Sequence, residues 1–146
     1  MTAAVFQDGR MQASENDSEP PARQLPDDLR SVGPGWHPLL LRLHERLVAV
    51  EPGYRVERVT EKFGAARIEV TTTHAEFRDL ISDAEQESAT TCEFCGAPGR
   101  PRRRSDADRG WIKAVCDSCH VPWSQHLILI GHGEVWRKPA RPQSAG

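Results

Sequence analysis

Between residues 36 and 91 the spacing of apolar positions changes period twice. Trp36, Leu40, Leu43, Leu47 and Val50 recur at alternating steps of four and three, the stripe of an amphipathic helix. Pro38 suits its first turn and Pro52-Gly53 stops it. The period then falls to two. Residues 54–63 read as a strand, with a slip of parity between Tyr54/Val56 and Val59/Phe63 that calls for a bulge. Gly64 marks a turn, and Ala66, Ile68 and Val70 alternate with Arg67, Glu69 and Thr71 as a second, half-buried strand. Phe77, Leu80, Ile81, Ala84 and Ser88 restore the helical period behind a capping-box pattern, Thr73-His-Ala-Glu76, and predict a helix over about residues 74–89. The expected unit is helix–hairpin–helix, residues 36–91. Glu85 and Glu87 stand at the wrong end of that second helix for its dipole.

The flanks read differently. Residues 1–35 are rich in Gln, Ser, Glu, Asp and Pro, and predict a disordered tail, with weak docking at most through Leu25 and Leu29, closed by Gly33-Pro34-Gly35. After residue 120, Leu127-Ile-Leu-Ile130 is a short apolar run with the length of a buried strand. Gly131-His-Gly133 turns it, and Val135-Trp136 can pair back. Pro122 argues against a long helix in front of it. Residues 137–146 read as a loose tail. No apolar run reaches the length of a membrane span, and the opening residues are too polar for a signal peptide. The expectation is a cytoplasmic protein with no membrane partner.

At 146 residues and 38% hydrophobic content the core must be modest, and a covalent or metal staple is useful to such a chain. The staple is legible. All four cysteines fall in two C-x-x-C pairs, Cys92/Cys95 and Cys116/Cys119, with twenty residues between the pairs. Two intervening residues let a tight turn aim both sulfurs at one ion, Gly96 closes the first turn, and twenty residues suffice for a hairpin that returns the second pair. The pattern is that of a four-cysteine zinc ribbon, residues 92–136, with Zn2+ in a closed, structural site. Iron takes the same four thiolates and is the nearest chemical rival; two disulfides would need an oxidising compartment. The expected fold class is α+β: the helix–hairpin–helix unit followed by the ribbon.

Charge is uneven. Residues 92–146 carry nine basic and five acidic side chains; residues 1–91 carry ten and sixteen. Arg100, Arg102, Arg103 and Arg104 form the densest basic cluster, on the outgoing limb of the ribbon hairpin, with Ser105–Gly110 at its tip and Trp111 and Lys113 on the return limb. Arginines beside a tryptophan can grip phosphates and stack on a base, so these six residues are the candidate DNA- or RNA-binding set. Against that stands a solvated hairpin whose Trp111 covers the metal knuckle. His120, His126 and His132, six residues apart, fit neither helical nor strand ligand geometry and read as structural. No nucleophile elbow, phosphate loop or H-E-x-x-H occurs, and no histidine lies between Cys95 and Cys116 as an inserted nuclease motif would require. A non-enzymatic nucleic-acid-binding or regulatory module is the leading expectation. The alternative is a protein-interaction adaptor or inhibitor, antitoxin-like or phage-like, with zinc only as a staple.

Trp36 with its leucine helix, Glu61-Lys62-Phe63-Gly64 followed by Arg67, Cys92-x-x-Cys95-Gly96 and Cys116-x-x-Cys119 together resemble a group of small uncharacterised zinc-ribbon proteins of bacteria, including actinobacteria, and of their phages. The resemblance spans about residues 35–120. It implies no activity, but it implies that Glu61, Lys62, Phe63, Gly64 and Arg67 serve more than turn chemistry.

Overall fold

The structure, a computed structural model, describes residues 23–71, 74–104 and 111–139. Helix α1 spans His37–Val50, with Pro38 in its first turn. Its Leu39, Leu40, Leu43 and Leu47 are buried together with Trp36, which extends the predicted stripe by Leu39 and leaves Val50 half-buried at its end. Strands β1 (Val56–Lys62) and β2 (Ala65–Val70) form an antiparallel hairpin. The register shifts between Val56 and Arg58, leaving Glu57 as the extra residue, so the bulge expected from the parity slip is present and brings both Val56 and Val59 to the core. Helix α2 covers Ala75–Ala89 and buries Phe77, Ile81, Ala84 and Ser88. The start of the predicted capping box, Thr73, lies outside the described residues, and the N-cap is His74 without a side-chain cap.

Helix α2 also closes the open edge of the hairpin. Ser88 Oγ accepts the Ala66 N–H at 2.8 Å and donates to the Glu85 carbonyl, while Glu85 Oε2 accepts the Ile68 N–H at 2.9 Å. Glu85, unfavourable for the helix dipole, is retained as an acceptor for a strand N–H that would otherwise lack a partner.

Residues 23–35 correct the expectation of a disordered tail reaching residue 35. Leu25–Ser31 form a 3-10 helix with a capping box, in which Gln24 N–H donates to the Asp27 carboxylate. Leu25 and Val32 are fully buried in the α/β core. Leu25 and Leu29 offered only weak docking from sequence, and the polar, proline-rich composition hid Val32; Leu25 and Val32 are each worth about 1.5–3 kcal/mol when buried. Tyr54 locks the segment: its hydroxyl accepts the Leu25 N–H at 3.0 Å and meets His44 Nδ1 at 2.6 Å.

In the C-terminal half, β3 (Arg100–Arg103) pairs antiparallel with β4 (Ile112–Val115), and β5 (Ile128–Gly131) with β6 (Glu134–Arg137). Between β4 and β5 lies an eight-residue helix, α3 (Asp117–Ser124), that carries Pro122 inside it. Pro122 limits the helix rather than abolishing it. Arg137, expected in the loose tail, closes β6, and the Lys138 N–H donates to the Leu127 carbonyl. A second buried cluster joins Cys92, Phe94, Val115, Cys116, Trp123 and Ile128. Among the described residues no helix is long and apolar enough to cross a membrane.

Candidate metal centre and the surface around it

Two knuckles build the centre. In the first, the Gly96 N–H donates to the Cys92 carbonyl at 2.8 Å, and Gly96 takes a φ of 86°, the left-handed conformation its sequence position called for. In the second, Cys116 is the N-cap of α3 and its sulfur accepts the Cys119 N–H at 3.4 Å. The ligand atoms of Cys92, Cys95, Cys116 and Cys119 all lie within 4.8 Å of one another, and Cys95 Sγ and Cys116 Sγ are 3.6 Å apart. Tetrahedral zinc with Zn–S near 2.3 Å separates its sulfurs by about 3.8 Å, so the four thiols are already spaced for one ion. All four are free cysteines.

The electrostatics of the thiol cluster favour a cation. Burial pushes the Cys92 thiol up, and burial, then the Cys92 charge and the neighbouring thiols push Cys119 far above its ordinary range. Cys116 goes the other way: burial alone would raise it, but the Cys119 N–H and the other thiols outweigh that and lower it. Cys92 and Cys119 thus resist ionising beside their neighbours, and a central dication would remove that conflict. These residues can hold a metal ion.

The six residues expected to meet nucleic acid are not brought into one open surface. Lys113 points inward: its Nζ lies 3.1 Å from Glu93 and 3.9 Å from Glu61, and its side chain is 15% exposed. Arg102 is held by Asp117 at 2.8 Å, with Arg100 at 3.8 Å from the same oxygen. The Arg104 guanidinium lies over the Trp123 ring, 5.4 Å from its centroid. Trp123, not Trp111, covers the metal knuckles, because α3 carries it back into the second buried cluster. Ser105–Gly110 lie outside the described residues. Arg100 and Arg103 remain exposed on β3, and the Arg103 carbonyl faces His120 Nε2 at 2.9 Å.

Trp111 is 69% exposed and shares a groove of about 340 Å³ with Glu61, Lys62, Phe63 and Ile112. Phe63 and Gly64 are the two central residues of the β1–β2 turn, with φ of 55° and 85°, the left-handed pair of a type I′ turn. A Cβ on Gly64 would stand 2.9 Å from Pro101 Cβ, so the turn sits directly against β3. Phe63 is 70% exposed. Arg67 is exposed on β2, opposite Thr60 and away from this groove's lining.

Glu93 is the residue that sequence reasoning missed. It lies inside the first knuckle, and its side chain is 2% exposed. Glu93 Oε2 accepts the Gly33 N–H at 3.0 Å; its backbone N–H donates to the Ala114 carbonyl, and its carbonyl accepts the Gly35 N–H, both at 2.8 Å. Cβ atoms on Gly33 and Gly35 would fall 2.4 Å from the Glu93 carbonyl oxygen and 2.0 Å from the Cys92 carbonyl oxygen, so both must be glycine. Two glycines flanking Pro34, just before a buried tryptophan, were the available signal. The three C-terminal histidines do not join the thiols: His126 and His132 occupy left-handed positions, φ 61° and 54°, after α3 and in the β5–β6 turn.

No family model, curated protein or solved structure matches the chain.

Proposed function

We propose that this chain is a non-enzymatic recognition module, stapled by zinc at Cys92, Cys95, Cys116 and Cys119, that binds a partner protein through the Phe63–Trp111 groove. One observation carries the reading. Two large aromatic side chains, each about 70% exposed, line the same groove on two different hairpins. The fold gains little from Phe63: its ring is mostly in water and its backbone is in a region costly for a residue with a Cβ. A side chain kept under such terms is kept for what it meets. Aromatic residues with an apolar neighbour such as Ile112 are the usual anchors of protein interfaces. Four thiolates with no open ligand position suit a staple rather than catalysis.

A second reading, nucleic acid, keeps a specific support: the net positive charge of residues 92–146 and the exposed Arg100 and Arg103. It ranks second because Lys113, Arg102 and Arg104 are engaged internally.

The test places a photo-crosslinking residue at position 63 or, as a control, at exposed position 78 on α2, in zinc-loaded protein mixed with extract of the source cells. A discrete protein adduct at 63, absent at 78 and abolished by Trp111→Ala, is expected. Adducts to nucleic acid that weaken with salt and with Arg100 and Arg103 changed to Ala would replace the protein reading by the second. Metal analysis checks the staple: one zinc per chain is expected, and a coloured iron–thiolate centre as the form isolated from the native host would overturn zinc.

A further inference from the structure

The metal knuckle and the Phe63 turn are joined by a short line of buried charge. Glu93 stands between two metal-site positions, Cys92 and Cys95, and takes Lys113 at 3.1 Å. Lys113 also lies 3.9 Å from Glu61 Oε1. The other Glu61 oxygen accepts the Gly64 N–H at 2.8 Å, and Gly64 is the second central residue of the turn that presents Phe63. The side chains of Glu93, Lys113 and Glu61 are 2%, 15% and 9% exposed. One lysine therefore serves two carboxylates in a place largely screened from water. Buried charges of this kind act as a unit, because displacing one leaves another without compensation. Lys113 also follows Ile112, a groove-lining residue, directly on β4.

We propose that Glu93, Lys113 and Glu61 are positioning residues that make the conformation of the Phe63–Gly64 turn depend on occupancy of the four-thiolate site. The biological use of this relay rests on the recognition reading above; the relay itself does not. With an ion bound, the 92–95 knuckle is fixed and so is the Glu93 carboxylate. Lys113 is then shared between Glu93 and Glu61, and Glu61 is held where it caps the Gly64 N–H. When the ion leaves, the knuckle loses its closure, Lys113 loses its better partner, and Glu61 is free to follow it away from Gly64. The groove is complete only in the metal-loaded chain.

The experiment uses Zn2+ alone as the probe. Amide hydrogen exchange of the full chain is followed by NMR at Gly64, with and without zinc, and the α1 amides of Leu43 and Leu47 report on the main core. Zinc should slow Gly64 exchange by about tenfold or more, the effect of a hydrogen bond to a charged acceptor, while the α1 amides stay protected in both states. In Lys113→Gln, zinc should still bind one per chain, but the zinc response at Gly64 should shrink to less than about twofold. Glu61→Gln, which keeps an acceptor for the Gly64 N–H and loses its attraction to Lys113, should behave alike and serves if Lys113→Gln does not fold. A Gly64 amide indifferent to zinc in the unmodified chain would overturn the relay. So would a full response in the variants, or simultaneous loss of α1 protection on zinc removal. Absence of any adduct at position 63 would instead sink the recognition reading and leave the relay standing.

Discussion

Phe63 gives the sharpest test of the argument that function, not folding, keeps it in place. A residue with a Cβ held at a left-handed φ costs about 1–2 kcal/mol, and asparagine tolerates that region far better. The sequence of a type I′ turn favours Asn-Gly, and here Gly64 already supplies the second position. Phe63→Asn therefore relieves most of the backbone cost. It also removes a ring that is 70% exposed. Full burial of phenylalanine contributes about 1.5–3 kcal/mol, so the buried third is worth about 0.5–1 kcal/mol. The balance is a gain of about 0.5–1 kcal/mol, which for a chain of this size raises Tm by about 2–4 °C. The assay is thermal and denaturant unfolding of zinc-loaded protein at fixed free zinc, since metal binding itself shifts apparent stability. The same variant should lose the partner adduct. A loss of stability of 1 kcal/mol or more would show that Phe63 is a packing residue after all, and would remove the main support for the groove as a binding surface.

Cys95→Ser should lower zinc affinity and raise amide exchange across residues 92–119, because a closed four-thiolate site loses one ligand; unchanged zinc retention and an unchanged melting curve would refute a four-thiolate centre. Arg104→Ala should cost about 0.5–2 kcal/mol, since the guanidinium covers the buried Trp123, whereas Arg67→Ala, at an exposed position of β2, should fall within about 0.5 kcal/mol; equal costs would contradict the stacking. Burial, set against the Gly64 N–H and the Lys113 charge, holds the Glu61 carboxyl above its ordinary value of 4.5. The folded chain then binds that proton more tightly than the unfolded chain. Its contribution to stability is present below pH 4.5 and is lost as pH rises through the raised value, so Glu61→Gln should flatten the stability profile just above pH 4.5, measured by denaturant unfolding; a profile identical to that of the unmodified chain would refute the assignment.

The elements that follow from local chemistry were legible. Apolar spacing located α1, β1, β2 and α2, the parity slip located the bulge between Val56 and Arg58, and the cysteine pairs located the four-thiol cluster. What was not legible depended on partners distant in sequence. Leu25 and Val32 look like isolated apolar residues in a polar tail until Tyr54 and α1 are placed against them. Lys113 looks like one more cation of a basic hairpin until the knuckle folds Glu93 onto it and the turn brings Glu61 from the other side. Trp111 and Trp123 are interchangeable by composition as covers for the knuckle. Only the short helix after Cys116, which carries Pro122 inside it, decides between them.

The placement of the staple bears on its purpose. The main core draws on α1, the hairpin, α2 and the 3-10 segment, and takes only Ala114 from the ribbon. The cluster around the thiols is smaller and built from short pieces: two knuckles, Val115, Trp123 and Ile128. A core of that size does not hold two-stranded hairpins by itself, and a metal at the four thiols would supply what burial cannot. Yet the ribbon is docked by contacts that demand close fit, with Gly33 and Gly35 against Glu93 and Cys92, and Gly64 against Pro101. The last of these contacts lies beside the Phe63–Trp111 groove, because a Cβ on Gly64 would also stand 3.3 Å from Ile112 in its wall. A metal held by the four thiols would therefore brace the part of the molecule that contributes least to the main core, the arrangement expected of a staple under the recognition reading proposed above.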